Sequence, residues 1–214
     1  MAKVPKHIGG YEIKHHLEAR YFQSDFLERF SKCAWWQPLA VWVPLIGLLA
    51  YASVAQRELG AGSIAALGLG GVAFWSLAEY VMHRKLFHWR RFARLHYILH
   101  GAHHEYPDDP GRVVFPPAAS LALGAAFYAL FVLALGVTAA RPFFAGFVVG
   151  YLGYDMTHYW THVAKPTTRW GKYLRRHHML HHFSEPDRKF GVSTPLWDFV
   201  FGTYGQPVRK GPPT

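Results

Sequence analysis

Residues Gly62-Ser-Ile-Ala-Ala-Leu-Gly-Leu-Gly-Gly-Val-Ala-Phe-Trp-Ser-Leu-Ala-Glu-Tyr-Val-Met82 run without a break into His83-Arg-Lys-Leu-Phe-His88. The first part carries a single acid and no base over a length close to the ~20 residues that a helix needs to cross a hydrocarbon core. The second part sets a pair of imidazoles at the end of that run, where polar groups are costly unless partnered. An apolar run of membrane length that delivers histidines at its end points to an all-α, membrane-embedded bundle with a histidine-rich cap.

Working outward, three more stretches have the same character, giving candidate spans at residues 38–55, 62–82, 118–137 and 142–159. Gln56-Arg57-Glu58-Leu59-Gly60 joins the first two and Thr138-Ala139-Ala140-Arg141 the last two, so two helical hairpins are expected. Of the 23 Lys and Arg, six fall in residues 1–36, six between His83 and Pro117, nine from Val163 onward, and one in each turn. The positive-inside rule then places the three basic regions in the cytoplasm. Residues 1–36 read as a polar cytoplasmic segment, residues 37–214 as the membrane domain, and residues 83–117 with 160–205 as its cytoplasmic cap. Trp35, Trp36, Trp75, Trp89 and Trp160 are expected as interfacial anchors. The net charge of +10 is accounted for by topology and lipid headgroups, and no nucleic-acid motif accompanies it. A secretory signal peptide is not indicated, and the lone Cys33 excludes a disulfide framework or cysteine-based metal site.

Ten of the fifteen histidines fall into four groups: His83 and His88; His100, His103 and His104; His158 and His162; His178, His181 and His182. Positions i, i+3 and i+4 share a helix face, so each His-x-x-His-His group can aim its rings at one volume. His83 and His88 are too far round a regular helix to do so, which places one of them just beyond a helix end. One ion takes at most about six ligands, whereas ten imidazoles suit two ions with four or five nitrogens each. None of the four groups contains the Glu-x-x-His pairing of soluble di-iron bundles, nor the His-Glu-x-x-His of zinc hydrolases. The clustering at one end of the spans favours a site over a transport route. Glu79 and Asp155, near His83 and His158, are the expected partners of ligand imidazoles, with an ion pair to Arg84 or Lys85 as the alternative. Glu105 and Asp108 could serve similarly. His96 and His177 fall off the shared faces, as outer partners or headgroup contacts, while His7, His15 and His16 read as solvated.

These groups resemble the four histidine boxes of the fatty acid hydroxylase and sterol desaturase superfamily. The text around them is similar to the sphingolipid fatty acid 2-hydroxylase branch: Glu79-Tyr-Val-Met-His-Arg-Lys-Leu-Phe-His88, His100-Gly-Ala-His-His-Glu-Tyr-Pro-Asp108 and Phe190-Gly-Val-Ser-Thr-Pro-Leu-Trp-Asp-Phe-Val-Phe-Gly-Thr203. The resemblance covers roughly residues 70–205. It implies four transmembrane helices under a cytoplasmic dimetal cap, two iron ions held by the ten histidines, O2 as oxidant, and a fatty acid or ceramide hydroxylated at C2. Sterol desaturation and carotenoid hydroxylation are sister activities on the same core, and zinc could replace iron in purified protein. Arg112, Tyr106 and Tyr173 are placed to meet the polar head of the substrate. Relatives often carry a fused haem domain with His-Pro-Gly-Gly, where this chain has His7-Ile8-Gly9-Gly10. Electrons are therefore expected from a separate reductase, ferredoxin or small cytochrome, in a bacterial inner membrane or the endoplasmic reticulum.

Overall fold

The computed structural model describes residues 7–8, 10–89, 91 and 93–205. A two-residue antiparallel pair, β1 (His7–Ile8) with β2 (Tyr11–Glu12), precedes helices α1 (Asp25–Ser31), α2 (Gln37–Ala55) and α3 (Ala61–Met82). Two π turns, His83–Phe87 and Tyr97–Gly101, flank α4 (Ala93–His96), and α5 (Ala102–Glu105) with a 3-10 turn (Pro110–Arg112) leads into α6 (Pro117–Val163). Helices α7 (Arg169–Phe183) and α8 (Leu196–Val200) complete the chain.

Three helical segments are long and apolar enough to cross a membrane: Gln37–Ala55, Ala61–Phe87 and Pro110–Val163. Their most apolar windows are only 17%, 17% and 11% buried within the chain. Leu48, Tyr51, Leu69, Leu130 and Leu133 point outward; a continuous apolar exterior of this size requires an apolar surrounding.

The third segment is not one straight rod. Gly136 breaks it with φ 76° and ψ 157°, a left-handed conformation that glycine adopts without the Cβ clash other residues meet. The Phe127 and Phe147 rings touch with centroids 4.8 Å apart, although twenty residues of straight helix would separate them by about 30 Å. The chain therefore doubles back at Gly136. The turn expected at Thr138–Arg141 is helical instead, and its polar side chains tie the two chain reversals together. Thr138 donates to Glu58 at 2.6 Å, and Arg141 bonds the Gln56 amide oxygen.

Backbone contact locks α3 against α6. A Cβ on Gly71 would lie 2.0 Å from the Phe143 carbonyl oxygen, and one on Gly146 would lie 1.9 Å from that of Gly68. Small residues let membrane helices approach this closely, and dispersion rather than hydrophobic burial then holds them together. Below the crossing, Trp42, Trp75, Phe131, Phe144, Phe147 and Tyr151 form an aromatic core. Trp75 belongs to that core and is not an interfacial anchor, whereas Trp35, Trp36, Trp89 and Trp160 are exposed.

The N-terminal stretch is not a detached polar tail. From residue 10 to residue 33 it lies as a strap on the cap. The Lys14 amide donates to the Glu105 carbonyl (2.7 Å) and the Cys33 amide to the Gly111 carbonyl (3.0 Å). The Ala19 amide donates to Asp109 at 2.9 Å. Arg112, whose side chain is 1% exposed, pairs with Glu28. It also donates to the Ala19 and Ser31 carbonyls and lies 3.8 Å over the Tyr21 ring.

Candidate metal centre

The ten histidines of the sequence groups meet in two sets of five. His83, His88, His100, His104 and His181 form one, and His103, His158, His162, His178 and His182 the other. Within each set the ring nitrogens lie within 4.8 Å of one another. The two His-x-x-His-His groups are each divided between the sets. His100 and His104 face one set and His103 the other, because neighbours on a helix point about 100° apart while i and i+4 nearly eclipse. On α7, His181 parts from His178 and His182 for the same reason.

The π turns solve the spacing problem of the first pair. The His88 amide donates to the His83 carbonyl at 3.2 Å, an i to i+5 bond. The wider turn brings His83 and His88 to one side, with His88 just beyond the helical residues. A second π turn, Tyr97–Gly101, delivers His100. Such turns inside helices recur at functional sites.

Eight of the ten rings are buried, His88 and His162 being half-buried. Burial, reinforced by facing imidazoles, pushes the pKa of His100, His103, His104, His178, His181 and His182 well below the ordinary histidine value. These rings are neutral at physiological pH, the form that offers a lone pair to a metal. Three neighbouring Nε2 pairs in each set stand 2.9 to 3.1 Å apart. Two nitrogens on bonds of about 2.1 Å at right angles to each other stand about 3.0 Å apart. The donor sets thus have the spacing that a transition metal ion requires, and each could hold one.

Backbone carbonyls orient three of the rings through Nδ1. His83 donates to the Phe190 carbonyl at 2.5 Å, His181 to that of Arg188 at 2.6 Å and His162 to that of Pro107 at 2.9 Å. A bond to one ring nitrogen fixes the tautomer and turns the other toward the centre. Glu79 and Asp155 act at one remove from the rings. Glu79 accepts the amides of Val192 (2.7 Å) and Ser193 (2.9 Å) and the Ser193 hydroxyl, which holds the loop bearing the Phe190 carbonyl. Asp155 accepts the Phe115 amide at 3.2 Å and the Tyr151 hydroxyl at 3.1 Å.

Glu105 and Asp108 clasp the strap, through Lys14 and His15 respectively. His15 and His16 are both exposed, and both lie against Asp108; the side chain of His7 lies outside the described residues. His96 accepts from Tyr11 at 2.9 Å and donates to the Phe87 carbonyl at 2.6 Å. His177 donates to Asp198 at 3.0 Å. Of the residues expected to meet a substrate head, Arg112 lines the cavity beside His100 and His103 while also pairing with the strap; Tyr106 is engaged by Lys14 and Tyr173 by Tyr204.

A cavity of about 210 Å³ opens on both sets at once, through His100 on one side and His103 and His158 on the other. Its remaining wall is largely apolar, with Phe87, Leu99, Val113, Phe115 and, from the strap, Phe22 and Phe30. Phe87, Phe115 and Tyr154 also border a second cavity among α2, α3 and α6, lined by Trp42, Leu123, Phe127 and Phe147.

Residues 68–203 match the family model described as fatty acid hydroxylase. A dihydroceramide fatty acyl 2-hydroxylase of Arabidopsis thaliana is 37% identical over 199 residues, covering 90% of this chain and 82% of that protein. A fatty acid 2-hydroxylase of Mus musculus is 38% identical over 210 residues, covering 86% of this chain and 56% of the mouse protein. A solved structure described as full-length scs7p, with only its hydroxylase domain visible, superposes with a TM-score of 0.81 at 34% identity, covering 86% of this chain and 71% of that one.

Proposed function

This chain belongs to the fatty acid hydroxylase family of oxidoreductases, and from that premise we propose that it hydroxylates C2 of a fatty acid or ceramide acyl chain with O2 at a pair of iron ions. The observation that carries the reading is the apolar cavity that touches both five-histidine sets and adjoins a second apolar cavity among the helices. His83, His88, His100, His104 and His181 would hold one ion, and His103, His158, His162, His178 and His182 the other. When bound, the iron pair supplies the redox chemistry by which R–H, O2, two electrons and two protons become R–OH and water. The electrons come from a separate reductase, ferredoxin or small cytochrome.

The chain's own contribution is placement and dryness. Phe87, Phe115 and Tyr154, shared by the two cavities, form the passage by which the distal acyl chain reaches the space around Trp42 and Phe127. The carbon beside the carbonyl is then left near His100, His103 and His158. Phe22 and Phe30 of the strap close the side away from the helices and keep water from the reacting carbon. In this reading α2, α3 and the two arms of α6 are four spans in two hairpins. Their basic flanks and the histidine cap lie in the cytoplasm.

The test is mass-spectrometric profiling of acyl chains from cells expressing the wild type or His103→Ala, with a reductase supplied. Newly formed 2-hydroxy acyl chains in the wild type alone are expected. Hydroxyl at another carbon, or altered sterols with unaltered acyl chains, would overturn the assignment.

A further inference from the structure

Asp198 is fully buried and takes its four hydrogen bonds from groups other than the ten histidines. Oδ1 accepts the Phe190 amide at 2.9 Å and the Thr203 hydroxyl at 2.7 Å. Oδ2 accepts the Gly191 amide at 2.9 Å and His177 Nε2 at 3.0 Å. The loop is pressed onto this carboxylate. A Cβ at Gly191 would stand 3.0 Å from Oδ2 and 2.1 Å from the Thr194 carbonyl oxygen. Two residues earlier, Lys189 has φ 59°, a left-handed conformation unfavourable to a side chain of its kind. Its amide is held by the Thr203 carbonyl at 2.9 Å.

The strained residue sits between two carbonyls that do the same thing. Arg188 receives the Nδ1–H of His181 and Phe190 that of His83. Both rings belong to one five-histidine set. The carbonyl that serves the other set, Pro107 on His162, lies in a different segment. We propose that Asp198 is a positioning residue for one metal position alone, setting the Arg188 and Phe190 carbonyls that aim His181 and His83. This rests on the dimetal reading above. The remaining anchor, His177, ties the carboxylate to α7 at the residue before His178, so the loop and the helix bearing His181 are fixed to the same group.

The experiment is metal analysis of purified full-length protein loaded with ferrous iron, followed against rising chelator. Wild type retains two ions, released together; fewer than two in the wild type refutes the dimetal reading itself. Asp198→Asn is expected to retain one ion, as an unaimed His83 and His181 weaken one set while the other keeps its ligands. Thr203→Val removes a single hydroxyl from the cluster and provides the decision if the asparagine variant does not fold. It should bind two ions but release one at a chelator concentration roughly 10-fold lower, in the range typical of lost outer partners. Loss of both ions together, or release indistinguishable from wild type in Thr203→Val, overturns the assignment.

Discussion

Two stretches of chain close over the histidines, and they meet the rings in different ways. The C-terminal loop, residues 188–193, is held from beneath by the buried carboxylates of Glu79 and Asp198, and it meets the rings with backbone carbonyls. The N-terminal strap is held by the side-chain pairs Glu28 with Arg112 and His15 with Asp108 and by backbone amides that bond Glu105, Asp109 and Gly111, and it offers no carbonyl to the ring nitrogens among the hydrogen bonds of the described residues. Its contact with the ten rings includes a stacked Tyr11, 4.7 Å from His104. A carbonyl on Nδ1 sets the direction of the opposite nitrogen, whereas a stacked ring sets only how closely a cover can approach. The loop is therefore part of the centre, and the strap, which lends Tyr21, Phe22, Phe30 and Ser31 to the cavity wall, is part of the pocket.

The largest effect that would break or sharpen this contrast is expected at Glu79. Replacing it with alanine strips the acceptor from the amides of Val192 and Ser193 and from the Ser193 hydroxyl. Activity should fall by about 10- to 100-fold, with iron lost from one set, as for other partners of ligand residues. Full activity with both ions retained would mean that the loop needs no carboxylate beneath it.

A smaller and different effect is expected for Arg112→Leu. Removing one partner of a buried pair costs about 3 kcal/mol, so the melting temperature drops. Both ions should stay, and the loss should appear as a raised KM for long acyl chains. One missing ion would erase the distinction between strap and loop. The Glu28 carboxylate supplies a pH test of the same lock. Burial alone would raise its pKa, but the amides of Phe22 and Tyr21, with Arg112, bring it below the ordinary 4.5. A folded pKa below the unfolded one contributes stability that is present above the unfolded value and is lost as pH falls through the folded value. Strap amides should thus stay protected from hydrogen exchange at neutral pH and lose protection in acid. Protection already lost near pH 6 would rule out Glu28 as the latch.

The contrast also marks what could be read from letters alone. Apolar helices and histidine groups are written in residue types, so the membrane-length runs and all ten converging rings were legible. The reversal was placed at Thr138–Arg141 because polar residues resemble a turn, while the backbone turned at Gly136, where a positive φ is free of strain. The division into two fives was not legible, because it depends on π turns and on which side of α5 and α7 each ring leaves. Asp198 stood inside a quoted motif without a role, since it acts through amides and carbonyls that every residue possesses. The strap was read only as a polar segment because its partners are remote in sequence; Tyr11 and His96 are 85 positions apart.

The smallest expected effect is also the finest probe of the contrast. His96 donates its Nδ1 proton to the Phe87 carbonyl, so its Nε2 accepts from the Tyr11 hydroxyl. Phe87 lies in the π turn that positions His83 and His88, so the strap has an indirect line to the ligands. Tyr11→Phe deletes that hydrogen bond, worth about 1 kcal/mol net, and preserves the stack on His104. Iron content should stay at two ions, and kcat should change by no more than about fivefold, since 1.4 kcal/mol corresponds to a factor of ten. A variant that sheds one ion would show that the strap aims ligands through His96 as the loop does through its carbonyls. An unchanged centre with a slightly more mobile strap would confine Tyr11 to holding the cover down.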